Sequence, residues 1–415
     1  MIKYCKRCLY PSNHPLNLII DEHGICSGCR VHEEKNIINW EKKRSQFSNI
    51  VKEYKSNSGK NYDCIVPVSG ASDSYYILHL VKNIYKMNPL VVTYNKQYNT
   101  KLGIRNLANL KDKFDVDVLT LTVDPYIVKK ITRHTLRVFG SIYWHCIAGQ
   151  TVFPVQVATR MKVPLIIWGC HQGLDQTGMF SHHDQVEMTR KYRKEHDLLG
   201  FEAEDLIEDI DGLTIQDVSQ YIYPDNQEIT NVGVRGIYLN NFFRWDSKTQ
   251  HQLMVKKYDY GSYFQNRTYD TYNNSDCWNY NDLHDYIKFI KFGYSKVVDQ
   301  VCRDIRLCHI SRSKAIDIVN NYIFKKPKNS NLFFNWLGIT KNAFNYVMDQ
   351  HRNKDIWIRD ENWNWTLKKD FLVNSYFKYP EEKVEEPILV EGFENNNNKF
   401  SSDDDDSYIL IGKGC

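Results

Sequence analysis

Two groups of residues in this chain have the types and spacing to do chemistry. The first is Ser69-Gly70-Ala71-Ser72-Asp73-Ser74, inside "YDCIVPVSGASDSYYILHLVK". A turn of small residues ahead of a helix lets phosphate oxygens approach unpaired N–H groups at the positive end of the helix dipole. Ser69, Ser72 and Ser74 would add hydroxyl donors. A plain strand-to-helix turn capped by Ser72 or Asp73 explains the same letters, and the turn alone leaves both readings open. The second group is Cys5-x2-Cys8 with Cys26-x2-Cys29, the spacing of four thiolates around one tetrahedral ion. Structural zinc is the first expectation and an iron–sulfur cluster the alternative.

A further polar cluster follows the apolar run "PLIIWG": "CHQGLDQTGMFSHHDQVEMTRKYRKEHDLLG". In a parallel sheet, ligands bind beyond the carboxyl ends of the strands. Gly169, His171, Asp175 and Gln176 would then share a rim with the Ser69 turn. Glu187 and Arg190 sit one helical turn apart and read equally well as a surface pair. His182 and His183 suit a solvent loop as well as a site, and His145 and Cys146 in "YWHCIAGQ" suit a core as well as a site. The chain has eleven Cys; of the others, Cys64, Cys277, Cys302 and Cys308 lie in apolar or helical text and read as packing residues.

The elements that must position these groups follow from periodicity. Apolar runs "DCIVPVS", "LVVTYN", "DVLTLTV" and "PLIIWG" alternate with amphipathic stretches, which predicts βα units and an α/β fold with a parallel sheet. Tyr76, Ile77, Leu80, Val81 and Ile84 recur at helical spacing, so the turn feeds a helix with one buried face. A strand-like piece, "ITNVGVRGIYL", comes later, and helices return in "NDLHDYIKFIKFGYSKVVDQVCRDIRL" and "SRSKAIDIVNNYIF". The expected division is a four-cysteine module at 1–40, a nucleotide-binding domain at 60–240, a mostly helical region at 241–378 and an acidic, disordered tail at 384–415. No internal repeat is visible.

The formal charge is +4, from 54 basic and 50 acidic residues, weak support for a nucleic-acid partner. No run approaches the roughly 18 apolar residues of a membrane span, and the opening "MIKYCKRCLYPSN" lacks the core of a secretion signal. The expectation is a cytoplasmic protein with no membrane partner.

The turn lacks the Walker A pattern, but it resembles the S-G-G-x-D-S signature of the PP-loop ATP pyrophosphatase superfamily. Ser69, Gly70, Asp73 and Ser74 match, while Ala71 stands where that family has Gly; if the position needs positive φ, Ala costs about 1 kcal/mol. With "YCKRCLYPSNHPL", "GICSGCRVHEEK", "HCIAGQTVFPVQVATRMKVPLIIWG", "GMFSHHDQVEMTRKYRKEHDLLG" and "HRNKDIWIRDENWNWTLK", the chain resembles the N-acetyl sugar amidotransferase family of surface-polysaccharide and nonulosonic acid biosynthesis.

That resemblance implies an ATP-dependent enzyme that turns the acetamido group of a sugar or sugar nucleotide into an acetamidino group. It implies ATP, Mg2+ and Zn2+ as cofactors, with AMP and pyrophosphate as products. Ser69, Gly70, Ala71, Ser72, Asp73 and Ser74 would hold the phosphates, Asn95 would sit near adenine, and Gly169 would line the nucleotide site. Asp73, His171, Asp175, Gln176 and Glu187 would orient substrate or move protons. A separate glutaminase subunit of the imidazole-glycerol-phosphate-synthase type would supply ammonia. The alternatives are a PP-loop tRNA thiolase, for which Cys146 is the fair candidate nucleophile, and a catalytically degenerate binding subunit.

Overall fold

The computed structural model describes residues 2–56, 58–271 and 278–368. The expected acidic tail, Cys277 and Cys415 lie outside these residues. Five parallel strands form one sheet: β1 (Cys64–Pro67), β2 (Pro89–Tyr94), β3 (Val118–Leu121), β4 (Leu165–Trp168) and β5 (Arg235–Tyr238). Their order across the sheet is β3-β2-β1-β4-β5. All four apolar runs singled out in the sequence became strands; of the "ITNVGVRGIYL" piece only the second half supplied the fifth, its first four residues ending a helix, Asn226–Val232.

Strand side chains alternate between two cores, as a sheet covered on both faces requires. Beyond α1 (Ser27–Glu34) in the cysteine-bearing segment, α2 (Trp40–Tyr54) and α3 (Ser72–Leu78) cover Cys64, Val66, Val91, Leu165 and Ile167. Ile65, Leu90, Val92 and Ile166 face α6 (Trp144–Met161). The chain builds outward from β1 through β2 to β3, then returns through α5 (Pro125–Phe139) and α6 to lay β4 on the other side of β1. That reversal makes a switch point between β1 and β4, where a crevice opens at the carboxyl ends of the strands.

One expectation about the first crossover helix needs correction. α3 runs on into a π-helical turn, His79–Ile84, whose wider i→i+5 bonding rotates the buried face. Tyr75 and Leu78 are fully buried, whereas Ile84 is 54% exposed and Tyr76 only half-buried.

The first 40 residues carry no core of their own. Tyr4, Leu9, Leu18 and Ile25 pack with Val297, Val301, Ile305, Ile316 and Val319 from the helices Lys296–Arg306 and Arg312–Tyr322. A further cluster joins α5 and α6 to Leu283, Ile287, Phe333 and Phe344. The cysteine module and the C-terminal helices thus close over the sheet together. No helix among the described residues is long and apolar enough to cross a membrane.

Candidate active site

A cleft of about 580 Å3 opens at the switch point. Ser69, Asp73 and Ser74 from the first βα turn, Gly169 after β4, and Gln176 line it, so these expected residues do meet. In the turn, Ser69 N–H donates to Ser74 Oγ at 3.1 Å and Ala71 N–H to Ser69 Oγ at 3.4 Å. Ala71 is the N-cap of α3, with φ −74° and ψ 167°, and no side chain caps the helix. The helix start is therefore open toward the cleft, where its N–H groups favour an anion.

The departure at Ala71 has no backbone cost. Its extended conformation suits any L-residue, and the strained position is Gly70, at φ +83°. There a Cβ would also lie 3.3 Å from the Gly103 carbonyl oxygen. Glycine is required one residue earlier than the sequence comparison suggested.

Asp73 is half-buried at the cleft, and burial pushes its carboxyl up to about 6. Asn95 is buried below the rim: its amide donates to Thr122 Oγ1 at 3.1 Å, and its Oδ1 accepts from Gln97 N–H at 2.8 Å. With Ser69 and Thr93 it lines a small side pocket over α4 (Lys101–Phe114).

The other expected residues are placed differently. Asp175 points away from the cleft, 2.7 Å from Lys35 Nζ and 3.5 Å from Arg303 Nε. Burial alone would raise this carboxyl, but the Lys35 ammonium and the Arg303 guanidinium outweigh it and hold it well below the usual carboxylate range. His171 lines a neighbouring cavity, with Nδ1 accepting from Gly173 N–H at 3.1 Å. Burial brings its pKa down to about 4, so the ring is neutral. Glu187 lines neither cavity; it bridges to Ile237 at the sheet edge and accepts from Arg235 at 2.8 and 3.0 Å. Arg190 pairs with Glu202 at 2.6 Å rather than with Glu187.

His182 is buried and stands edge-on to Trp40. His145 and Cys146 are core residues. His145 Nδ1 meets the Tyr94 hydroxyl at 3.0 Å, and Cys146 lines neither cavity.

The remainder of the cleft's lining includes residues that sequence reasoning did not select. His14, Lys96, His284, Lys288, Lys296 and Arg303 all line the cleft. In the helix Lys296–Arg306, residues 296, 299, 300 and 303 face the cleft while Val297, Val301, Cys302 and Ile305 enter the core. That helical spacing of polar residues was the available signal. Lys288 pairs with Asp299, and Lys296 Nζ donates to Gln265, so the cations are already held in position.

The four cysteines of the N-terminal module are buried, and their sulfurs lie within 4.8 Å of one another. Cys5 and Cys29 Sγ are 4.0 Å apart, Cys8 and Cys26 Sγ 3.6 Å. Four thiolates at about 2.3 Å from a tetrahedral zinc are about 3.8 Å apart. The spacing leaves room for one ion and not for a multi-iron cluster. Cys8 N–H and Cys26 N–H donate to Cys5 Sγ at 3.4 and 3.3 Å. Arg306 reaches Cys29 and Cys26 Sγ at 3.4 Å each, and donates to the Gln176 carbonyl at 2.7 Å. The four-cysteine module is thereby bound to the loop that carries Gln176.

Fold and site together define a parallel α/β protein with a cleft at its switch point and a buried four-cysteine cluster alongside. Residues 244–370 match the family described as LPS biosynthesis protein WbpG-like, C-terminal domain. An uncharacterized protein of Methanocaldococcus jannaschii is 32% identical over 120 residues; the match covers 29% of this chain and 43% of that protein. Among solved structures, the NH3-dependent NAD synthetase from Campylobacter jejuni aligns at 12% identity with a TM-score of 0.28, over 47% of this chain and 92% of that one. NMN synthetase from Francisella tularensis aligns at 11% identity and TM-score 0.27, over 53% of this chain and 96% of that one. Structural similarity this loose carries no argument about the site.

Proposed function

We propose that this protein is an ATP-dependent amidotransferase that converts the acetamido group of a sugar into an acetamidino group. The observation that carries the reading is the make-up of the cleft. Its lining joins the uncapped Ser69–Ser74 turn with Asp73 to Lys288, Lys296 and Arg303. Those three cations fall within the segment that matches an LPS biosynthesis family, which favours a saccharide acceptor.

An amide carbon is a poor electrophile. In the proposed reaction the acetamido oxygen attacks the α-phosphorus of ATP, the bond to the β-phosphate bridge oxygen breaks, and pyrophosphate leaves. Ammonia then adds to the activated carbon, the C–O bond breaks with release of AMP, and the lost proton goes to solvent or to a cleft base. The N–H groups at the start of α3 and the hydroxyls of Ser69 and Ser74 would hold the departing phosphates. Lys288 and Arg303 would offset their charge from elsewhere in the cleft lining. Mg2+ arriving with ATP would share that role, with Asp73 the carboxylate beside the turn. Asn95, in the side pocket, is on the side where the adenine would lie.

Zinc in the four-thiolate module would hold the loop of Gln176 in place rather than touch the reacting atoms. Ammonia would come from a separate glutaminase subunit or from solution. The buried position of Cys146 argues against the tRNA thiolase, and the relaxed backbone at Ala71 argues against a degenerate turn.

The test is to incubate the purified protein with ATP, Mg2+, ammonium and a panel of N-acetylated sugars and sugar nucleotides. AMP should form together with a product lighter by the difference between O and NH in mass spectrometry. AMP with no such mass change in any sugar would discard the reaction, and stimulation by a co-purified glutaminase would identify the ammonia source.

A further inference from the structure

A second cavity of about 510 Å3 lies against the first. Tyr143, Trp168, Cys170, Gln172, His284 and Lys288 line both, so the two are chambers of one hollow separated by a shared wall. The second chamber is aromatic. Trp168 and Tyr238 stack with planes at 28° and centroids 6.4 Å apart, and Tyr192 and Tyr223 extend the same surface.

Two carboxyl residues line this chamber: Glu195, which is exposed, and the more enclosed Asp197 at the end of a π-helical turn, Arg193–Asp197. The turn is anchored from below: Arg193 is buried, its Nε donates to Thr151 Oγ1 at 2.9 Å, and its Nη1 lies 3.4 Å from Glu202. The Asp197 side chain, half-buried at the chamber wall, makes no hydrogen bond among the described residues, and burial pushes its pKa up to about 7. A carboxyl that faces a cavity with no protein donor keeps its acceptor sites open. Such sites are what a ligand with hydroxyl groups can satisfy, while aromatic faces accept the apolar face of the same ligand.

We infer that the second chamber seats the pyranose ring of the acceptor, laid against Trp168 and Tyr238, with Asp197 accepting hydrogen bonds from ring hydroxyls. The acetamido group then points across the shared wall toward the Ser69–Ser74 turn. This orientation rests on the function proposed above; the sugar seat rests only on the chamber.

The test uses the full-length protein. N-acetylglucosamine, N-acetylgalactosamine and N-acetylmannosamine are titrated by saturation-transfer NMR, and a non-hydrolysable ATP analogue by calorimetry. At least one sugar should bind through its ring protons. Its affinity should fall about ten-fold in Asp197→Ala, as loss of a charged hydrogen bond predicts, and less in Asp197→Asn, which keeps one acceptor. Tyr238→Ala should also weaken it, and the analogue should bind all variants equally, which shows that they are folded. Sugar binding that is absent from the wild type, or unchanged in the variants, overturns the assignment and leaves the nucleotide cleft standing. Failure of the analogue to bind wild-type protein overturns the ATP reading, while a sugar signal sensitive to Asp197 would still support the seat.

Discussion

The Gln176 side chain donates to the Tyr10 hydroxyl at 2.7 Å, and that hydroxyl donates onward to Asp299 Oδ1 at 3.0 Å. One side chain of the cysteine module thus joins two walls of the cleft, the loop after β4 and the helix Lys296–Arg306. Both Gln176 and Asp299 line the cavity, so the module helps set the cleft's width.

Tyr10→Phe removes both bonds while keeping the ring. Stability should fall by about 1–3 kcal/mol, since a buried amide and a carboxylate each lose a partner. Urea unfolding measures that loss. Steady-state AMP release should show a lower kcat with little change in the affinity for ATP, because the turn that would hold the phosphates is untouched.

Gly28 lies between the module and the cleft loop. A Cβ there would stand 2.4 Å from both the Gln176 carbonyl oxygen and Arg306 Nη2. Gly28→Ala should cost about 1–3 kcal/mol through overpacking, and the bound metal, measured as zinc per chain by elemental analysis, should become easier to strip with a chelator. Metal retention equal to wild type would show that both Arg306 and the Gln176 backbone can shift.

The two small residues of the turn should respond oppositely. Ala71→Gly should leave turnover within about two-fold, because φ at this position is already ordinary and the change mainly loosens the unfolded chain. Gly70→Ala should weaken nucleotide binding by about five- to ten-fold, measured by calorimetry, because its φ of +83° strains a side chain by about 1 kcal/mol and the Cβ would press on the Gly103 carbonyl. Activation by Ala71→Gly would restore the case for a degenerate turn.

Asp175 should govern acid sensitivity. Its carboxyl is held down between Lys35 and Arg303, so the stability it contributes is present above the ordinary carboxylate pKa of about 4 and is lost as pH falls toward the lower folded value. Asp175→Asn leaves Lys35 buried without its partner and should cost about 3–5 kcal/mol at neutral pH. The difference from wild type should shrink below about pH 4, which denaturant unfolding at several pH values would reveal.

Much of this was legible in the sequence because it depends on neighbours along the chain. The strand patterns, the small-residue turn after β1 and the paired cysteines are written in spacings of two, three or four residues. Ile84 and Glu187 show where such reading ends. A π-helical turn moved Ile84 out of the buried face, and Glu187 found Arg235, 48 positions on, instead of nearby Arg190.

By itself the sequence determined the parallel α/β sheet, its switch-point turn and the four-cysteine cluster, since hydrophobic period and cysteine spacing are local properties. The tertiary structure alone decided that Asp175 braces Lys35 while Lys288 and Arg303 complete the cleft, and that Trp168, Tyr238 and Asp197 share a second chamber. Those groups lie far apart in the chain, and only the packing of helices over both faces of the sheet brings them together.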